Sequence, residues 1–157
     1  MKLATLRDGS RDGQLVVVSR DLASAHYATG IAQRLQQVLD DWGFLAPQLQ
    51  DLYDALNAGR ARHAFPFDPA QCLAPLPRAY QCLEAAPGSP GAAVPALQQL
   101  AGDALGGARD PLPERAVAAD LDFGAGLAVV TGDLPAASTS DQALDAVRLL
   151  MLCNSVA

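Results

Sequence analysis

Apolar residues alternate with polar ones at the start of the chain. LATL (3–6) and QLVVVS (14–19) flank the polar run RDGSRDG, whose two Asp-Gly pairs supply the positive φ values that tight turns need. A β-hairpin is expected there. The spacing then lengthens to that of a helix. Ile31, Leu35, Val38, Leu39 and Trp42 share one helical face, and Gly43 is expected to stop that helix. A second helix is expected from Pro47, because proline suits a first turn. Its inward residues are Leu49, Leu52, Tyr53 and Leu56, with Gly59 near its end. The stretch HAFPFDPAQCLAPLPRAY (63–80) is punctuated by proline, and QCLAPL within it reads as a short strand leaving this first unit.

The pattern weakens over residues 84–118, which are rich in Ala, Gly and Pro and hold no aromatic residue. Only Ala96 to Leu105 carries a helical stripe, through Leu97, Leu100, Ala104 and Leu105. Most of the segment reads as loop, since it offers little apolar bulk against its ordering entropy. Order returns with DLDF (120–123) and LAVVTG (127–132), both strand-like. TSDQALDAVRLLML (139–152) reads as a helix. Thr139 and Gln142 have the spacing of a capping box, and Leu144, Val147 and Leu150 to Leu152 continue inward. Between the two strand pieces stand Gly124 and Gly126. Strand side chains alternate, so these two glycines leave one face bare at neighbouring positions. Glycine also weakens a strand, so the pair calls for an explanation.

Composition narrows the class. The 157 residues suffice for one ordinary domain or two small ones. The formal net charge is −6, with no cluster of Lys or Arg, which argues against nucleic acid or an anionic membrane as partner. No apolar run reaches the roughly 18 to 20 residues of a membrane span, and MKLATLRDGS is not a secretory signal. Cys72, Cys82 and Cys153 are an odd number without CxxC spacing, which reads as reduced thiols in the cytoplasm.

The opening MKLATLRDGSRDGQLVVVSRDL, the block HYATGIAQRLQQVLDDWGFLAPQLQDLYDALNAG and the run HAFPFDPAQCLAPLPRAYQ resemble the N-terminal domain of bacterial fumarylacetoacetate hydrolase family proteins. The resemblance is dense over residues 1–81. It resumes in DLDFGAGLAVVTGDLPAASTSDQALDAVRLLMLCNSV, which is similar to the family's central β-strands and adjoining helix. The resemblance implies an α+β chain in three parts. These are a small N-terminal hairpin and helix domain (1–81), a divergent segment (82–118), and a truncated remnant (119–157) of the catalytic roll, an incomplete mixed β-roll. Family members hold Mg²⁺ or Ca²⁺ in that roll and cleave carbon–carbon bonds in acylpyruvate-like diketo acids.

The family strand carries two glutamates two residues apart, after an aspartate and an aromatic residue. Here Asp122 and Phe123 stand, but Gly124 and Gly126 occupy both glutamate positions. An aspartate that follows an asparagine in the family is replaced by Ser155, next to the retained Asn154. Alternate strand positions would place two carboxylates on one face for a hard cation; glycine offers no ligand atom. The family's dyad histidine has no counterpart in residues 82–118, and on this resemblance the family's C-terminal half is expected to be missing. The expectation is a chain without a metal cofactor.

Weak catalytic candidates remain in His26 and His63, the two histidines, and in Cys82, which stands where relatives have a large aromatic residue. Hydrogen-bonding roles are the plainer reading for the histidines. Cys82 would need a base, and Glu84 is the titratable group close by in sequence. Asp120, Asp122 and Asp133 could recruit a metal again, although solvated strand ends account for them.

Four readings of the function are open. One is a catalytically degenerate, metal-free member that binds a small molecule or another protein. Another is a repurposed metal-independent enzyme, a cyclase, isomerase or lyase of secondary metabolism, working by orientation. A third is a decaying gene product whose fold persists. The family's own metal-dependent C–C hydrolysis is the remaining alternative. A homodimer built through residues 120–157, or a complex with a related chain, is expected from the open sheet edges such a remnant would leave.

Overall fold

The structure, a computed structural model, describes residues 1–85, 95–103, 105–112 and 123–156. Its described part is α+β, and every strand pairing in it is antiparallel. Two compact units are present, Met1–Val38 with Gly43–Asp110, and Leu39–Trp42 with Pro111–Ala157.

In the first unit, β1 (Lys2–Leu6), β2 (Gln14–Val18), β3 (Ser24–Tyr27) and the two-residue β4 (Phe65–Pro66) form a sheet in that order. The expected hairpin is present, with Leu6 opposite Gln14 and Lys2 opposite Val18. Its turn is organised by Asp8, whose carboxylate accepts from the Ser10 N–H at 2.8 Å and the Ser10 hydroxyl at 2.6 Å. Gly13 closes the turn at φ 59°. A Cβ there would stand 2.5 Å from the Leu6 carbonyl oxygen, so only glycine fits. All of Leu15, Val16, Val17 and Val18 are buried to 2% exposure or less, so β2 is covered on both faces. Leu6, Val16, Val18, Ala25 and Cys72 form one cluster, with Ala4, Phe65 and Phe67 packed against it.

The helices differ from expectation in their boundaries. The first, α1 (Leu35–Asp40), is short, and Ile31 lies in a turn before it. The second, α2 (Trp42–Asn57), starts five residues ahead of Pro47 and runs through Gly43. Gly43 therefore does not stop a helix, and Pro47 is not in a first turn. Proline's cost in a helix is a lost N–H and a clash with the carbonyl four residues back. Here that residue is Gly43, and both positions are exposed, so water can serve the freed carbonyl. The inward face is as expected: Leu49, Tyr53 and Leu56 are buried and Leu52 half-buried. Gly59 at φ 67° ends the helix. The Arg60 N–H reaches the Ala55 carbonyl and the Gly59 N–H the Leu56 carbonyl, the paired bonds of a Schellman cap. The helices are tied to the sheet by bonds from the Met1 amine to Gln50, from the Arg20 N–H to Asn57 and from the Leu15 N–H to the Gln33 carbonyl.

The strand expected at QCLAPL shrinks to a single bridge between Cys72 and Leu6, extended by the bond from the Leu73 N–H to the Thr5 carbonyl. Pro75 within it lacks the N–H donor a longer ladder requires. Residues 82–85 (β5) pair with residues 97–100 (β6), so Leu97 to Leu100 is a strand and the helical stripe was misleading. Short apolar runs do not separate strand from helix by period alone. Ala104 is outside the described residues.

In the second unit, β7 (Phe123–Thr131) pairs along its length with β8 (Val147–Val156). The helix expected over 139–152 stops early. Only α3 (Ser140–Asp145) is helical, and Val147 to Leu152 belong to β8. The capping box is present: Thr139 accepts from the Gln142 N–H, and Gln142 accepts from the Thr139 N–H. A six-residue helix gains little by itself. The run VRLLML gains a full ladder as a strand, and that pairing overrides the helical period.

Two tests follow. Leu15 and Leu49 are fully buried, so Leu15→Ala or Leu49→Ala is expected to cost about 2 to 5 kcal/mol. Chemical denaturation measures it, and a cost below about 1 kcal/mol would show that the sheet is not the core. The second test is acid stability. Hydrogen bonds from Ser10 hold Asp8 below the ordinary carboxyl value of 3.8, those from Ser19 and the Ala23 N–H hold Asp21 below it, and those from Arg78 hold Asp12 below it. Each folded-state value is depressed, so the stabilisation is complete above the ordinary value and is lost as pH falls through the folded values. Melting temperature is expected to drop below about pH 4, and Asp12→Asn to flatten that drop.

Candidate functional site

The register of β7 and β8 decides where the two strand glycines lie. Gly124 is directly opposite Ser155, and Gly126 directly opposite Cys153. Cross-strand partners share a face, as do alternate residues. One face of the ribbon therefore carries Gly124, Gly126, Ala128 and Val130 from β7, with Ser155, Cys153, Met151 and Leu149 from β8. The three positions singled out from the sequence do come together on one face. Phe123 pairs with Val156 just beyond them.

The chemistry of that face is poor in ligands. Ser155 provides one hydroxyl, Cys153 one exposed thiol, and the glycines nothing. Mg²⁺ and Ca²⁺ prefer six or more oxygens, several of them anionic. These residues do not fit such an ion. Among the described residues, no three His, Cys, Asp or Glu side chains are grouped to hold a metal. Asp120 and Asp122 lie outside the described residues, and Asp133 is exposed. The two glycines differ in the room around them. A Cβ at Gly124 would meet Ser155 at an ordinary 3.8 Å, whereas one at Gly126 would press on the Cys153 sulfur at 3.3 Å.

The remaining candidates stand apart from one another. His26 on β3 is half-buried, with Nδ1 2.7 Å from the Tyr27 carbonyl oxygen and Nε2 2.7 Å from that of Arg62. Both ring nitrogens face main-chain carbonyl oxygens, to one of which a neutral imidazole can donate at a time, and through these contacts the ring straps β3 to the loop after α2. His63 is exposed in that loop at φ 65°. Cys82 opens β5 opposite Leu100 and is half-buried. Glu84 lies two residues along the strand and so on the same face, opposite Gln98.

Two clefts were not foreseen. One, about 240 Å³, lies in the second unit among Asp133, Leu134, Pro135, Gln142, Asp145, Ala146 and Arg148. Arg148 crosses over Gly132, where a Cβ would come within 3.1 Å of its Nε. It also donates to the Asp145 carbonyl at 3.3 Å. Arg148 could not be singled out while its segment read as a helix. The other, about 210 Å³, lies in the first unit beside Leu6, Arg7, Tyr27, Phe65, Pro66, Asp68 and Gln71. Its wall is the Tyr27–Phe65 ring pair, with centroids 4.8 Å apart. Both are smaller than the roughly 300 to 1,000 Å³ of most ligand pockets.

A four-stranded antiparallel sheet tied to a pair of helices, with a loop strapped back by His26, defines a small α+β N-terminal module. Residues 1–78 match the family described as fumarylacetoacetase N-terminal domain 2, and this part of the chain is a fumarylacetoacetate hydrolase family N-terminal domain. No curated protein matches the chain. Among the described residues, no helix is long and apolar enough to cross a membrane.

The thiols provide a test of the site. Burial, followed by the negative Asp68 nearby, pushes the Cys72 thiol above its ordinary value, while Cys153 is exposed. Labelling with a thiol reagent at neutral pH is expected to modify Cys153 first and Cys72 only on unfolding. Peptide mapping of the labelled chain reads the order. Cys82 reacting ahead of exposed Cys153 would revive it as a nucleophile.

Proposed function

We propose that this protein is a metal-free fumarylacetoacetate hydrolase-like protein of the cytoplasm that acts by binding rather than by C–C bond hydrolysis. In this reading β7 and β8 are a piece of the family's β-roll, and Gly124, Gly126 and Ser155 stand at former metal-ligand positions. One observation carries the reading: among the described residues, the face that gathers those three positions presents no carboxylate. A cation in such a site would stabilise the enolate formed on cleavage, a contribution of several kcal/mol. One hydroxyl and two glycines do not replace the anionic ligands that hold it. Protein binding is favoured over a small molecule because both clefts are small and open, while large apolar side chains of β7 and β8 are exposed. A repurposed enzyme would need a new set of convergent groups, and His26, His63 and Cys82 do not supply one.

The test is elemental analysis of the purified protein together with an acylpyruvate cleavage assay. Less than about one-tenth of an equivalent of Mg²⁺, Ca²⁺ or Mn²⁺ is expected, with no cleavage above the solvent rate when metal is added. One bound ion per chain with turnover at ordinary enzyme rates would overturn the proposal. Gly124→Glu is expected to be accommodated, whereas Gly126→Glu needs the Cys153 side chain to move or Cys153→Ala alongside it.

A further inference from the structure

Leu6, Val16, Val18 and Ala25 share the core face of the first sheet, and register puts Tyr27 and Phe65 on it as well. Tyr27 is nonetheless 46% exposed. After β4 the chain returns to β1 through a short 3₁₀ turn, Pro69–Gln71, and the bridge from Cys72 to Leu6. The cleft of about 210 Å³ lies at that return, with buried Leu6 at its base and the Tyr27–Phe65 ring pair as its wall. Arg7, Asp68 and Gln71 give it a polar rim. Main-chain bonds fix the turn they stand on. Asp68 accepts from the Ala70 N–H at 2.9 Å, and the Gln71 carbonyl accepts from the Arg7 N–H at 2.9 Å.

Arg7 already carries a carboxylate. Its guanidinium pairs with Asp110, which lies beyond the stretch 1–78 that matches the family. Asp110 also accepts from the Gly107 N–H at 2.8 Å. Both members of the pair are partly open to water, and so exposed an ion pair contributes little. Asp110 therefore sits on Arg7 as an exchangeable carboxylate.

We propose that this cleft takes the C-terminal residue of a partner protein, with the terminal carboxylate on Arg7 in place of Asp110 and an apolar side chain against Leu6, Tyr27 and Phe65. This rests on the binding reading above and gives it a place and a partner chemistry. A guanidinium fork matches a planar carboxylate, and capture of chain ends is a recurring mode of peptide recognition. The volume suits one large side chain and not a drug-sized molecule. A chain end brings a main-chain N–H beside its carboxylate, which Asp68 can accept; an acid without such a donor meets only the repulsion of Asp68. Gln71 can donate to the peptide group before it or accept from it. A free amino acid has few atoms with which to offset the entropy of binding, whereas a protein partner adds contacts beyond the rim.

Titration of the isotope-labelled full chain with two N-acetylated peptides, Gly-Ser-Gly-Ser-Phe and Gly-Ser-Gly-Ser-Leu, tests the proposal by nuclear magnetic resonance. Each is compared with its C-terminal amide and with free phenylalanine. A dissociation constant between about 10 µM and 1 mM is expected for at least one of the acids, with the Tyr27 and Phe65 ring signals shifted. Its amide is expected to bind at least about tenfold more weakly. Arg7→Gln is expected to abolish that difference, and Arg7→Lys to restore part of it. Asp110→Asn frees Arg7 and is expected to tighten binding about threefold. Melting curves check that each variant folds. No binding of either acid up to about 5 mM would overturn the proposal, as would an amide that binds as well as its acid. Free phenylalanine binding as tightly as the peptides would overturn the assignment to a chain end. None of these outcomes involves metal content or acylpyruvate cleavage, so failure here is distinct from failure of the metal-free reading.

Discussion

The first unit depends on β2 being covered on both faces. Leu15 to Val18 are four consecutive apolar residues with almost no exposure, and in an antiparallel sheet that requires packing above and below. The cluster of Leu6, Ala25, Cys72 and the phenylalanines supplies one side. On β3, His26 is the register partner of Val17 and so shares its face, away from that cluster. Its ring holds the loop after α2 at Arg62. A histidine that looks like spare chemistry in sequence is thus a strap belonging to the layer that buries β2. Hydrogen bonds of this kind contribute on the order of 1 kcal/mol each, but they also fix which way the loop runs.

What could be read from the sequence depends on where the forces are local. The hairpin was legible because turn chemistry is local: Asp8, Gly9 and Gly13 act within the seven-residue loop they close. The inward face of α2 was legible because its period is long enough to be unambiguous. Its start was not, since a proline on a solvated face costs less than the general rule implies. The same limit explains β6 and β8. LQQL and VRLLML fit either period, and pairing with β5 and β7 decides between them. That pairing is a non-local fact. The capping box at Thr139 was read correctly, and it marks where a helix begins but not where it ends.

The candidate site was legible in position and incomplete in context. Spacing alone put Gly124 and Gly126 on one face. Register then placed Ser155 opposite Gly124, which a helix over 139–152 followed by a turn would not have required. Arg148 was missed because its role comes from crossing Gly132 at the end of the ribbon. It has no motif of its own.

The electrostatics of the ribbon give the metal-free reading a physical sense beyond lost ligands. Two glutamates and an aspartate on one face of two adjacent strands repel one another, and like charges in directly opposed positions weaken a sheet. Such a face is stable chiefly when a cation neutralises it, so metal binding and folding become linked. With Gly124 and Gly126 opposite Ser155 and Cys153, these four positions carry no such repulsion. Glycine takes some strand stability with it, roughly 0.5 to 1 kcal/mol per position relative to alanine. The ladder that remains leans on the apolar pairs further along, Leu127 with Leu152 and Val129 with Leu150. On the proposed reading, these apolar pairs carry the stability that a cation would supply to an acidic face.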